Sequence, residues 1–140
     1  MKHTGSCLCG SVTFTVEGDF DAFYLCHCSR CRKDTGSAHA SNLFSSSAHL
    51  HWLTGEHLVR TYRVDRTEHS KSFCAHCGSA LPTVQMDGTL LVVPAGSLDT
   101  EISIEASAHI FTGSRATWDE ELEKIPHFKE GPHIKEEMTT

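Results

Sequence analysis

The stretch Leu25-Cys26-His27-Cys28-Ser29-Arg30-Cys31, LCHCSRC, sets three thiols within six positions. Spacings this short let one turn present several sulfurs to a single ion at Zn–S distances of ~2.3 Å. Working outward, the other four cysteines stand in two pairs, Cys7-Leu8-Cys9 and Cys74-Ala75-His76-Cys77, and none of the seven lies outside a cluster. Where thiols are kept reduced, such clusters read as metal ligands before disulfides. The count is odd, and Cys26 and Cys28 stand too close in sequence to bridge.

Seven sulfurs divide in two ways. The two pairs make one closed four-cysteine site and leave Cys26, Cys28 and Cys31 as a three-cysteine site with an open position. Structural zinc is closed and four-coordinate, whereas catalytic zinc keeps a place for water or substrate. Alternatively, Cys28 and Cys31 join Cys74 and Cys77 as a zinc ribbon and strand Cys7, Cys9 and Cys26. The first division is the more compact, but spacing alone does not decide between them.

At 140 residues one domain is expected, able to bury roughly 68% of the surface its unfolded chain exposes. The formal charge is −6, and residues 119–137 hold seven acids against three bases, so that segment carries −4 of it. No clustered basic excess is present, which argues against nucleic-acid or anionic-membrane partners. The N-terminal MKHTGSCLCG has no apolar core of a signal peptide. The longest apolar run, Leu90 to Val93, falls far short of the ~20 residues a spanning helix needs. A soluble, cytoplasmic protein is expected.

Val12, Phe14 and Val16 alternate with polar neighbours, the period-two signature of a half-buried strand over Ser11–Val16. Further β-like segments are Ala40–Phe44, His49–Leu53, Leu58–Val64, Ser70–Phe73, Leu81–Gln85, Thr89–Val93 and Ser103–Ile110. Met86-Asp87-Gly88 between two apolar runs predicts a hairpin. Helical signal is confined to Ser29–Thr35, ending at Gly36, and an acidic Trp118–Ile125 ahead of Pro126. The sequence therefore predicts a mainly β domain of antiparallel sheets, stapled by zinc, with one or two short helices. Residues 1–128 form the domain and 129–140 a polar tail.

The order C-x-C, C-x-C-x-x-C and C-x-x-C-G, with GSCLCGSVTF, CHCSRCRKDTGS, WLTGEHLVRTYR, SFCAHCGSALP, PAGSLD and HIFTGSRATWDE around it, resembles the glutathione-dependent formaldehyde-activating enzyme family. That family also includes centromere protein V, whose long basic N-terminal region has no counterpart in these residues, so a chromatin role is not expected. The resemblance covers roughly residues 4–128. It implies a β-tent fold with two zinc ions, Cys7, Cys9, Cys74 and Cys77 holding a structural one and Cys26, Cys28 and Cys31 a catalytic one. It further implies a carbon–sulfur lyase that adds a thiol such as glutathione to formaldehyde, giving S-hydroxymethylglutathione. The alternative is a zinc-stabilised binding module without catalysis.

Three thiolates on a divalent ion leave a net charge of −1, which suits an incoming soft thiolate better than water activation. Arg30, Arg32 and Lys33 crowd the triplet in an otherwise acidic chain. They read either as contacts for substrate carboxylates or as basic side chains on a solvated turn. His27 and His76 sit at the x positions of tight metal turns, which normally point away from the ion. His109 matches the resemblance, and a buried, hydrogen-bonded imidazole accounts for it equally. His3, His39, His49, His51, His57, His69, His127 and His133 show no ligand spacing and read as surface residues. Trp52 and Trp118 read as core or rim packing, and Thr35 and Ser37 as polar loop residues.

Overall fold

The computed structural model describes residues 1–132; the expected tail, 129–140, therefore lies largely outside the described residues. Val12, Phe14 and Val16 are wholly buried, as their alternation predicts. Fully burying a side chain of this kind stabilises a fold by about 1.5–3 kcal/mol. They lie on or beside β2 (Thr13–Glu17), which is flanked antiparallel by β1 (Lys2–Ser6) and β5 (His49–Thr54).

A second sheet collects β3 (Ala22–Cys26), β4 (Ala40–Ser45), β9 (Thr83–Gln85), β10 (Leu90–Pro94) and β11 (Ala108–Ile110), in the order β11-β3-β4-β10-β9. A third contains β6 (Val59–Arg63), β7 (Ser70–Cys74) and β8 (Ala80–Leu81). Leu43, Leu81, Leu91, Val93 and Cys74 close with Phe14 into one core shared by all three sheets. The single α-helix among the described residues, α1 (Ser29–Thr35), follows β3 directly and ends at Gly36 in the left-handed region.

The mainly β, three-sheet architecture agrees with the expected fold class, and several details differ. Leu81–Gln85 is two strands, because Pro82 supplies no N–H for a ladder. The chain leaves β8 there and enters β9 in another sheet. Strands β1 and β3 lie outside the segments the sequence marks. Ser103–Ile110 pairs only at β11, and that pairing with β3 is parallel, so the sheets are not wholly antiparallel. Trp118–Ile125 forms no α-helix; only Leu122–Lys124 makes a 3-10 turn, entered through Glu121 at φ 49°. Leu122 and Ile125 are exposed, so among the described residues this segment lacks the apolar packing that stabilises a short helix. The hairpin between β9 and β10 is present, and Met86 and Asp87 both take the positive φ such turns require. Among the described residues no helix is long and apolar enough to cross a membrane.

Candidate metal centre

The β1–β2 connection carries Cys7 and Cys9, and Cys74 ends β7 ahead of the turn that holds Cys77. Gly10 and Gly78, with φ of 79° and 74°, make the two reversals possible. Each turn is closed by backbone bonds: the Gly10 N–H donates to Cys7 O over 3.1 Å, and the Gly78 N–H to Cys74 O over 2.8 Å. The four Sγ atoms lie within 4.8 Å of one another. Cys7 Sγ stands 3.6 Å from Cys9 Sγ, and Cys9 Sγ 3.9 Å from Cys74 Sγ. Sulfurs ~2.3 Å from a tetrahedral zinc are roughly 3.8 Å apart, whereas a disulfide needs ~2.05 Å. The donor set and its spacing fit a divalent, thiophilic ion.

Ser79 ties the two turns together. Its hydroxyl accepts the Leu8 N–H at 2.9 Å and lies 3.2 Å from Cys77 Sγ. The hydroxyl and backbone of Ser79 hold the Cys77 thiol down to about 5. Ser11 likewise lowers Cys9. A lowered thiol gives up its proton to a metal more readily, and Cys77 at about 5 is thiolate at neutral pH.

Cys26, Cys28 and Cys31 form a second group, their Sγ atoms also within 4.8 Å of one another. Among the described residues no histidine, cysteine, aspartate or glutamate joins them as a fourth ligand. The sulfurs thus group as four and three, and the ribbon pairing of Cys28 and Cys31 with Cys74 and Cys77 does not occur. Cys26 ends β3, Cys28 caps α1, and Cys31 lies on the buried side of its first turn. The Cys28 Sγ accepts the Cys31 N–H at 3.4 Å. Burial pushes Cys26 and Cys31 up. Burial also works against the Cys28 thiolate, but hydrogen bonds, led by the Cys31 N–H, leave it below the ordinary thiol value.

The three basic residues separate. With 3.6 residues per turn, Arg30, Lys33 and Asp34 fall together on one face of α1 and Arg32 lies away from it. Arg30 and Lys33 line a cavity of 350 Å³ with Tyr62, Val64 and Lys71. Arg32 is half-buried, and its Nε, although buried, has no hydrogen-bond partner among the described residues. Asp34 fastens the helix to β7: its carboxylate lies 2.8 Å from His69 Nε2 and 3.5 Å from Lys71 Nζ. Thr35 hydrogen-bonds the Cys31 carbonyl at 2.8 Å, which accounts for it structurally.

Several histidines depart from the surface reading. His3 is buried with Nδ1 3.0 Å from Thr100 Oγ1. His69 is held by Asp34, as above. His27 is only 2% exposed; its Nε2 is 2.8 Å from His109 Nδ1, and its ring stacks obliquely on His39 at 5.1 Å. Burial, reinforced by His39, holds the His27 imidazole below its usual value and therefore neutral, with Asp119 opposing. His76 is exposed and points to solvent, as does Trp118, whereas Trp52 packs edge-on against Phe14 at 5.7 Å. The His27–His39–His109 cluster joins residues 82 positions apart, and no local spacing reveals it.

The family profile described as "Glutathione-dependent formaldehyde-activating enzyme" matches residues 2–114. A Rhodobacter sphaeroides protein of known crystal structure has a similar fold, with a TM-score of 0.56 at 23% identity. That match spans 76% of this chain and 98% of the other.

Proposed function

Since the chain belongs to the glutathione-dependent formaldehyde-activating enzyme family, we propose that it is a zinc-dependent carbon–sulfur lyase. It joins a small thiol, such as glutathione, to formaldehyde or a related aldehyde, and runs the reverse cleavage. The observation that carries this reading is a three-sulfur group without a fourth ligand among the described residues, where the other group has four. Cys7, Cys9, Cys74 and Cys77 would hold a structural zinc, and Cys26, Cys28 and Cys31 a catalytic one. Zinc held by Cys26, Cys28 and Cys31 would supply a Lewis acid that favours a substrate thiolate over the thiol.

The chain's own part is to bind and orient. In the forward direction the sulfur forms a bond to the carbonyl carbon, the C=O π bond breaks, and the carbonyl oxygen takes the proton that the thiol gave up. No oxidant or reductant enters. Glutathione carries carboxylates, and Arg32 would meet one: its buried Nε is a donor without a partner among the described residues, which supports that role. A guanidinium pairs with carboxylates in a fixed fork. Arg30 and Lys33 belong to the cavity on the far side of the helix and would touch only a substrate that reaches round it. Seven cysteines grouped as metal ligands would suit a reducing, cytoplasmic setting.

The test is the rate at which glutathione and formaldehyde combine, measured with zinc-loaded protein against the spontaneous reaction. Acceleration that disappears in Cys28→Ser is the expected result. An unchanged rate across several aldehydes would sink the lyase reading and leave a zinc-stapled binding module.

A further inference from the structure

The segment after β11 folds back over the three-cysteine turn. Parallel pairing sets Ile110 beside Cys26, and the His27 N–H donates to Ile110 O over 2.9 Å. Phe111 then takes φ 56°, a left-handed conformation uncommon for a bulky aromatic. The 3-10 turn Thr112–Ser114 follows, and the chain returns to set the Asp119 carboxylate 3.3 Å from His27 Nδ1. His27, between two of the three cysteines, is thus held by its backbone and approached at both ring nitrogens by this segment.

The protonation pattern follows from what each atom can do. His27 Nδ1 is buried and has no hydrogen-bond partner among the described residues, and the Asp119 carboxylate 3.3 Å from it when ionised only accepts. A bare nitrogen lone pair facing that carboxylate would be repelled, so Nδ1 carries the proton. Nε2 is then the acceptor, and His109 Nδ1 donates to it across 2.8 Å. Each member of the chain Asp119–His27–His109 fixes the tautomer of the next. Metal sites commonly depend on such outer partners, whose loss lowers metal affinity about 10–100-fold.

We propose that Asp119 and His109 are positioning residues that clamp His27 and thereby hold the Cys26–Cys28 turn in its metal-binding shape. This rests on the triplet being a metal site, but not on the reaction it performs. The clamp would let a turn with three ligands among the described residues hold an ion. It also explains why the segment 108–119 crosses back to the end of β3.

The experiment measures the affinities of the two zinc ions by competition with a graded chelator, together with the melting temperature. A parallel spectrum is taken with cobalt(II) in place of zinc. Asp119→Ala and His109→Ala are expected to weaken one zinc by tenfold or more and shift the cobalt–thiolate bands. The second zinc and the melting temperature should stay as in the parent protein. Asp119→Asn, which keeps an acceptor for the Nδ1 proton, should recover part of the loss. Unchanged affinities in both alanine variants overturn the proposal. So does an equal weakening of both zinc ions with a lowered melting temperature, since the residues would then only support the fold. A parent protein that binds a single zinc overturns both this clamp and the catalytic reading, whereas two zinc ions without lyase activity leave the clamp standing.

Discussion

The two cysteine clusters use the same donor atom and the same short spacings, yet they are built in opposite ways. The four-cysteine group joins pairs far apart in sequence, Cys9 and Cys74 being 65 positions from one another. It ties the β1–β2 turn to the end of β7, beside a core in which Cys7 and Cys74 are themselves buried. The three-cysteine group is complete within Cys26–Cys31. An ion that closes a long loop removes chain entropy from the unfolded state, an effect that grows with the logarithm of loop length. An ion held inside one turn closes almost nothing. Stability is thus expected from the first cluster, and chemistry from the second.

The sharpest way to break this comparison is to remove one sulfur from each cluster. Cys74→Ser takes a wholly buried ligand from the long-range site. Structural zinc contributes about 10–16 kcal/mol to small metal-folded domains, as much as the whole net stability of about 5–15 kcal/mol of most proteins. The variant should therefore be unfolded by circular dichroism. Cys28→Ser should keep the sheet signal and nearly all of the melting temperature, while zinc per chain falls from two to one and lyase activity disappears. If both variants unfold alike, the triplet is structural too and the distinction collapses.

Why the clusters were visible in the sequence and their surroundings were not is a matter of distance along the chain. Ligands within one turn leave a spacing, and Val12, Phe14 and Val16 leave an alternation. Strand β1, KHTGS, has no apolar pattern at all. It forms because β2 offers a free edge and because His3 and Gly5 can pack inward, His3 against Phe20 at 5.4 Å between ring centroids. Pro82 is visible as a residue but not as a crossing between sheets, which depends on what β7 and β10 do elsewhere. The imidazoles of His27, His39 and His109 meet only because β11 lies parallel to β3, a pairing that requires the whole intervening fold. Conversely, Trp118–Ile125 has a plausible local helix pattern and no surface to pack on.

Acid offers a finer comparison. Zinc must displace protons from its thiols, so a site whose sulfurs are held low keeps its metal to lower pH. In the four-cysteine group, Ser79 brings Cys77 to about 5 and Ser11 lowers Cys9. In the triplet, burial raises Cys26 and Cys31. Each cluster has one sulfur pulled the other way, Cys74 upward and Cys28 downward, but the ligand count reinforces the difference. As pH falls from neutrality, the triplet should release its zinc first and the four-cysteine site later, with unfolding accompanying only the second release. A chromogenic chelator read alongside circular dichroism checks the order, and simultaneous release would argue that the sites are energetically equivalent.

The smallest effects are expected from the basic residues, and they test which side of α1 the substrate occupies. Arg32 has a buried Nε without a partner among the described residues, so a carboxylate that meets it gains a charge-assisted bond of about 1.5–3 kcal/mol. Partial exposure reduces that gain through solvent screening. Arg32→Glu is therefore expected to raise KM for glutathione by about tenfold, the equivalent of ~1.4 kcal/mol, with kcat little changed because the contact is the same in ground and transition states. Arg30→Glu and Lys33→Glu alter exposed side chains on the opposite face. Their effect on KM should be smaller, and moderate salt should remove it. The reverse ranking, with Lys33→Glu more damaging than Arg32→Glu at high salt, would move the substrate's carboxylate to the cavity beside Tyr62. The triplet would then have to be reached from that side of the helix.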